Sequence, residues 1–98
     1  MRIDVSSQVA EFLRSLAPEP RRALREALRD LSEGRGDILA LEHPLDGFHR
    51  LRVGRYRVIY RYVSARGGSV IRCEYAQRRE LIYEVFAETV SRIMQRSD

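Results

Sequence analysis

Hydrophobic and polar residues alternate over the first few positions of the chain and then change to helical spacing. Residues 2–6 alternate with a period of two, which predicts a short strand. Either Ser6 or Ser7 then supplies a helix N-cap. The hydrophobic residues that follow recur every three or four positions and predict a first helix that stops before Pro18; they are Val9, Phe12, Leu13 and Leu16.

A second helix follows after a tight link. Pro20 suits its first position, because the N–H that proline lacks would have no partner there, and the helical pattern continues to about Gly34. Two consecutive amphipathic helices with so short a link predict an αα-hairpin. The hydrophobic face of the second helix consists of Ala23, Leu24, Ala27, Leu28 and Leu31.

The remaining chain predicts a sheet and a last helix. Residues 34–47 contain turn residues, a proline and four large aliphatic residues, which predicts a loop pinned to the core. A period of two then predicts three antiparallel strands that form a meander, over residues 48–53, 55–63 and 69–76. Helical spacing returns from Glu80 to about Gln95, with one hydrophobic side made of Ile82, Val85, Phe86, Thr89, Val90 and Ile93. The predicted fold class is α+β: two N-terminal helices packed on a small antiparallel sheet, with a C-terminal helix.

Composition restricts the class of protein. A chain of 98 residues is long enough for one modest core, so we expect a single domain over residues 1–98. No apolar run approaches the ~20 residues that a membrane span requires, and the N-terminus does not resemble a secretory signal, which favours the cytoplasm and no membrane partner. One cysteine and two histidines are too few for a disulfide framework or a zinc site. The sequence also contains no Gly-rich phosphate loop and no HExxH motif, and no cofactor is expected.

The charge is unevenly distributed along the chain. All 18 basic residues are arginine, and residues 48–79 contain nine of them against a single acid, Glu74, which gives this segment a net charge of +8. Arginine binds phosphate and carboxylate through a planar fork of N–H groups and also stacks on bases. The central segment therefore predicts a surface for a polyanion, although a surface for an acidic protein would have the same composition.

Strand alternation indicates which arginines share a face. Arg50 and Arg52 point to one side of the first meander strand, and the alternate residues of the second strand, Arg55, Arg57 and Arg61, also share a face. If the two faces coincide, Arg50, Arg52, Arg57 and Arg61 form one cationic patch, whose mutual repulsion an anionic ligand would relieve. The alternative is the ordinary solvent-facing side of a half-buried sheet.

Three further residues follow the last predicted strand. Arg78 and Arg79 come directly after it, and Tyr83 follows one turn into the last helix. They are placed to complete an anion site with an aromatic surface on which a base could stack. The alternative is charge at the start of a helix and a packed tyrosine.

The histidines are the only side chains with an ordinary pKa near neutrality. His49 lies on the face opposite Arg50 by strand parity, which favours a packed histidine over a general base. His43 lies in the loop segment EHPLDG and is expected to be exposed.

The segment PLDGFHRLRVGRYRVIYRY, followed by a strand and then QRRELIYEVF, resembles the RelE/ParE superfamily of toxins from bacterial toxin–antitoxin pairs. The resemblance covers most of the chain and implies a RelE-like fold. It also implies a cognate antitoxin as partner and contact with DNA only through the antitoxin complex. The RelE-like branch, which the resemblance favours, cleaves mRNA in the ribosomal A site, whereas ParE-like toxins keep the fold and poison DNA gyrase.

In the RelE-type reaction the ribose 2′-hydroxyl attacks the adjacent phosphate, with no metal. The resemblance implies catalytic roles for Arg50, Arg52, Arg57, Arg78 and Tyr83, beside nucleic-acid contacts from Arg55, Arg61 and Arg79. The chain departs from the family pattern at two positions. Arginine replaces lysine in the first-strand pair, and arginine is a poor proton acceptor; His49 occupies a position that is aromatic in the family.

Several functions therefore stay open. Arg50 and Arg52 could act only electrostatically, His49 could serve as the base, or cleavage could be slow or absent. The competing functions are a gyrase-binding toxin and a degenerate family member that acts only as a partner of its antitoxin.

Overall fold

A sheet forms the centre of the molecule. The structure is a computed structural model, and it describes residues 1–96 except for the side chains of Thr89 and residues 93–96. Within this range the fold is α+β, and its five strands lie in the order β1-β5-β4-β3-β2. The elements in chain order are β1 (Ile3–Val5), α1 (Ser7–Ser15), α2 (Pro18–Ser32), β2 (Asp37–Ala40), β3 (Phe48–Val53), β4 (Tyr56–Ala65), β5 (Gly68–Arg78) and α3 (Ile82–Arg96).

The sheet is mixed, so the prediction of a purely antiparallel sheet was wrong. The meander β3-β4-β5 is antiparallel as predicted, but β1 joins its edge in parallel with β5. The pairing depends on contacts between distant segments: the Ile71 N–H donates to the carbonyl of Arg2, and the Ser6 N–H donates to the carbonyl of Cys73, each at 3.0 Å. A three-residue strand cannot indicate from its own sequence which partner it has.

The predicted loop over residues 34–47 contains β2, the other edge strand, which is a second correction. β2 pairs antiparallel with β3. Gly36 precedes β2 with φ of +139°, and a Cβ at this position would lie 2.9 Å from Cδ1 of Leu51. Glycine therefore lets the chain pass close to the core and enter the sheet. The prediction that this segment is pinned to the core holds for Ile38, Leu41 and Leu45, which pack against buried residues.

The first helix begins at a capping side chain, whereas the second begins at a proline. The Ser6 Oγ accepts a hydrogen bond from the Val9 N–H at 3.2 Å and donates one to the carbonyl of Glu74 at 2.8 Å, which joins the start of α1 to β5. The second helix begins at Pro18 rather than Pro20, with Ala17 as its N-cap, because proline at position 18 also suits the first turn. The αα-hairpin arrangement of the two helices stays a prediction.

Helices cover both sides of the sheet. On the first side, α1 and α2 bury Val9, Leu24 and Leu31 against strand residues that include Leu51 and Tyr60. On the second side, which we call the α3 side, Ile82 and Phe86 of α3 are buried against Ile59 of β4. Among the residues whose side chains are described, the α3 side has fewer that are fully buried than the first side.

The last helix agrees with its predicted span to within two residues. Thr89 and Ile93, which were predicted on its hydrophobic side, lie outside the described side chains. Within residues 1–96, no helix is both long enough and apolar enough to cross a membrane.

Candidate anion-binding site

A row of polar residues crosses four strands on the α3 side of the sheet. Asp37 on β2 lies opposite Arg52 on β3, Arg52 lies opposite Arg57 on β4, and Arg57 lies opposite Gln77 on β5. Because residues in register across a sheet point to the same side, these four side chains are direct neighbours. The row lies at the end of the sheet where the turn joins β3 to β4.

The next row contributes one more arginine. Arg50 lies opposite Ile59, which is fully buried beneath α3, and the Arg50 side chain is only 13% exposed. Its Nη1 lies 3.5 Å from Oδ1 of Asp37, so the side chain extends towards the polar row. We refer to Arg50, Arg52 and Arg57 as the arginine cluster; the structure brings these three sequence-predicted residues together.

Arg57 is held by the backbone of the adjoining turn. Its Nη1 donates to the carbonyls of Gly54 at 2.8 Å and Tyr56 at 2.9 Å. Gly54 has φ of +59°, the positive value that the first position of a two-residue hairpin turn requires, and glycine adopts it without strain. Nε and Nη2 of Arg57 form no hydrogen bond with any residue that the structure describes, so they can receive an anion.

The pKa of Arg57 is lowered in the folded protein, by burial and in part by the positive charges around it. Burial lowers this pKa from its ordinary value, and the charges of Arg50, Arg52 and Arg79 lower it further, while Tyr83 acts in the opposite direction. Placing like charges together in a partly dehydrated site is unfavourable. An anion bound among these groups would remove that repulsion.

Arg79 rather than Arg78 is the neighbour of Arg57 at the end of β5. The Arg79 N–H donates to the carbonyl of Arg55 at 2.9 Å, which fixes the end of β5 against the β3–β4 turn. Arg78 lies opposite Tyr56, so strand alternation directs it to the first side of the sheet. An open pocket of about 430 Å³ beside the cluster is lined by Gly54, Arg55, Arg79 and Glu80.

Tyr83 lies in the first turn of α3 and is 44% exposed, in contrast to the buried Ile82 beside it. The charge of its phenol acts to raise the pKa of Arg57, so the two groups lie within electrostatic range of each other. An exposed ring beside cations offers a surface on which a base can stack while its phosphate is bound.

The structure separates Arg61 from the cluster. Arg61 lies four residues beyond Arg57 on the same side of β4, with the buried Ile59 between them on that side. It forms an ion pair with Glu74 at 3.3 Å, and its guanidinium lies 5.8 Å from the centre of the Phe48 ring. The predicted patch of four arginines is therefore divided into a cluster of three and a separate ion pair.

His49 lies on the opposite side of the sheet from Arg50, as strand parity predicted. Its ring stacks on Tyr60 with a centroid distance of 5.3 Å and an angle of 19° between the planes, and it meets the ring of Tyr62 edge to face. His49 is therefore a packed residue in this structure and is not placed to act as a base for chemistry at the arginine cluster.

Sequence reasoning missed Asp37, the acidic residue that contacts the cluster. Its segment was interpreted as loop, so its register with Arg52 could not be inferred; an alternating reading of GDILAL as a short edge strand could have found it. Among residues 1–96, no group of three or more His, Cys, Asp or Glu side chains is placed to hold a metal ion.

The fold has counterparts among solved structures, although no family model and no curated protein sequence matches the chain. The toxin in the archaeal RelE–RelB complex from Pyrococcus horikoshii is 30% identical over 80% of this chain and 93% of its own, with a TM-score of 0.61. The RelBE2 toxin–antitoxin complex from Mycobacterium tuberculosis matches with 24% identity over 80% of this chain and 96% of that chain, with a TM-score of 0.64. The YoeB/ParE toxin from Agrobacterium tumefaciens shares the fold at 15% identity over 81% of this chain and 99% of its own, with a TM-score of 0.66. The sequence identity to the Pyrococcus horikoshii protein extends over nearly the whole of that chain, and the two proteins share the fold. The protein therefore belongs to the RelE/ParE superfamily of toxins.

Proposed function

We propose that this protein is the toxin of a type II toxin–antitoxin pair and that it inhibits translation as a ribosome-dependent mRNA endoribonuclease. One observation carries the proposal: three arginines converge at one end of the sheet beside an exposed tyrosine and an open pocket. Family membership supports the toxin role, and this arrangement suits an RNA phosphate with its adjacent base.

The proposed reaction is attack of a ribose 2′-hydroxyl on the neighbouring phosphate: the bond from the 2′-oxygen to phosphorus forms and the bond from phosphorus to the 5′-oxygen breaks, which gives a 2′,3′-cyclic phosphate. The proton of the 2′-hydroxyl passes to solvent, and solvent supplies the proton that the leaving 5′-oxygen takes up. The transition state carries more negative charge on the phosphate oxygens than the substrate, so fixed cations that contact them lower the barrier. Arg57 is the best-placed group, because the backbone holds it and two of its nitrogens have no hydrogen-bond partner among the described residues. Arg50 and Arg52 add charge on one side, and Tyr83 fixes the base so that the hydroxyl lies in line with the leaving oxygen.

His49 is not placed to transfer a proton at the arginine cluster, because its imidazole packs on the other side of the sheet. Arginine keeps its proton at neutral pH and cannot act as the base. The chain's proposed contribution is therefore positioning and charge stabilisation, with Arg55 and Arg79 at the rim contacting phosphates further along the RNA, whereas Arg78 lies on the other side of the sheet.

The proposed partner outside the ribosome is an acidic antitoxin segment that covers the arginine cluster. Solved relatives from Pyrococcus horikoshii and Methanococcus jannaschii are complexes of a RelE toxin with a RelB antitoxin. Charge complementarity with a segment of net charge +8 favours an acidic partner. Contact with DNA would arise only through that antitoxin, and the protein would act in the cytoplasm.

Cleavage of mRNA on programmed ribosomes tests the proposal. Purified toxin is added to ribosomes stalled with a defined codon in the A site, and mRNA ends are mapped by primer extension. We expect cuts within the A-site codon that depend on ribosomes and disappear with Arg57→Ala. Growth arrest by the expressed protein without such cuts would contradict the proposal, and inhibited supercoiling by gyrase in a parallel assay would then favour the ParE-like function.

A further inference from the structure

Asp37 engages both first-strand arginines of the cluster. Its Oδ2 lies 2.5 Å from Nε and 2.5 Å from Nη2 of Arg52, so both N–H groups on one edge of the guanidinium point at the same oxygen. Its Oδ1 faces Nη1 of Arg50 at 3.5 Å. One carboxylate on the edge strand therefore partly neutralises two of the three cationic groups.

The contact uses the same surface of Arg52 that a phosphate would use. A guanidinium binds carboxylates and phosphates alike through paired N–H groups. An RNA phosphate that binds Arg52 in this way must displace Asp37 from it. Arg57, by contrast, is bound only by backbone carbonyls among the described residues, so its charge is available without displacing an acid.

The location of Asp37 explains why an acid is tolerated in a cationic site. Arg52 and Arg57 lie opposite each other, and like charges in register destabilise a sheet. Asp37 lies opposite Arg52 on its other flank and offsets this repulsion when no ligand is bound. The same carboxylate becomes a competitor when an anion arrives.

We propose that Asp37 is the resident counter-ion of the arginine cluster and limits the affinity of the free protein for RNA by competing with phosphate for Arg50 and Arg52. The identity of the anion as RNA rests on the proposed function. Asp37 is a positioning residue in this role, since it acts through the arginines and does not contact the reacting atoms.

The affinity of the full-length protein for a single-stranded 2′-O-methyl RNA oligonucleotide tests the inference. This probe lacks the attacking hydroxyl, so binding is measured without cleavage. Asp37→Asn removes the charge and keeps the shape, and we expect binding about fivefold tighter at low salt, the size of effect expected from releasing an exposed ion pair. One additional cation facing the RNA also makes the plot of log K against log salt steeper by about 0.7.

Two variants control for charge and for structure. Asp4→Asn makes the same charge change on β1, the opposite edge of the sheet, where Asp4 pairs with Arg2; its side chain is 42% exposed, against 41% for Asp37. We expect Asp4→Asn to leave the affinity within about twofold and the slope unchanged, because an exposed charge at that distance is largely screened. Asp37→Glu restores the carboxylate and should return both affinity and slope towards those of the wild type.

The outcomes separate this inference from the proposed function. Equal affinity and slope for wild type and Asp37→Asn would overturn the inference, as would weaker binding by Asp37→Asn or a gain of the same size from Asp4→Asn. Loss of ribosomal cleavage by Asp37→Asn at unchanged RNA affinity would also overturn it and would indicate a proton-accepting role. If the affinities follow the expected order but wild-type protein cuts no mRNA, the inference stands and the proposed nuclease activity fails.

Discussion

Arg52 and Arg57 lie directly opposite each other on β3 and β4, on the side of the sheet that α3 partly covers. Two like charges in register cost stability unless something compensates them. Asp37 compensates one of them, and the carbonyls of the β3–β4 turn hold the other. The site therefore combines one partly neutralised guanidinium with one that remains available, and the two have different expected roles.

Replacing Arg57 should have the largest effect on cleavage. We expect Arg57→Ala to lower the rate of mRNA cleavage about 100-fold or more, which is typical of removing one group that stabilises transition-state charge. Arg57→Lys keeps the charge but loses the planar fork, so it should recover only part of the activity. Single-turnover cleavage on programmed ribosomes measures both, and equal activity of wild type and Arg57→Ala would exclude the proposed role.

Arg61 provides the matched comparison on the same strand. Its guanidinium is paired with Glu74 beyond the buried Ile59, so we expect Arg61→Ala to change cleavage less than threefold, the effect of disturbing an exposed ion pair. The same ribosome assay compares the two alanine variants. A loss with Arg61→Ala as large as that with Arg57→Ala would mean that the RNA extends over the whole strand, as the sequence alone suggested.

Tyr83 should act through its ring. We expect Tyr83→Ala to weaken binding of the uncleavable RNA oligonucleotide about tenfold, within the range measured for loss of one stacked base, and Tyr83→Phe to bind almost as well as the wild type. Fluorescence anisotropy gives the affinities. If Tyr83→Phe were as weak as Tyr83→Ala, the hydroxyl rather than the ring would be the functional group.

Phe86 should be essential for the packing of α3. It is 1% exposed and contacts the rings of Phe48 and Tyr75 with centroid distances of 5.1 and 6.3 Å. We expect Phe86→Ala to lower the free energy of unfolding by about 3–5 kcal/mol, as for other buried phenylalanines. Denaturant unfolding measures this, with the exposed neighbour Glu88→Ala as the control; a change below about 1 kcal/mol would mean that α3 contributes little to the fold.

Cys73 should be unreactive in the folded protein. Burial raises the pKa of its thiol to about 12, with a smaller contribution from the charge of Glu74. The folded state therefore holds the thiol proton more tightly than the unfolded chain, whose pKa is about 8.5. This contribution to stability is complete below that value and is lost as the pH rises towards 12. Alkylation at pH 8 should be slow in native protein and fast in denaturant, and rapid native labelling would contradict the buried placement.

Local sequence alone predicted the elements with strong periodicity. Two N-terminal helices, the antiparallel meander and the last helix follow from hydrophobic spacing, and strand parity placed Arg50 and Arg52 on one side with His49 on the other. The pattern grouped Arg57 with that pair only on the condition that the two strands present their arginine faces together, and the register of β3 against β4 in the structure meets this condition. These features depend on residues that are close in sequence.

Only the tertiary structure decided the edges of the sheet and the membership of the site. β1 and β2 are three and four residues long, and their pairing comes from backbone partners that local periodicity cannot identify. The pairing of β2 with β3 brings Asp37 into contact with the arginine cluster. The buried Ile59 separates Arg61 from that cluster. The sequence thus determined that a cationic sheet surface exists, whereas long-range strand pairing and helix packing determined which arginines share it and which acid opposes them.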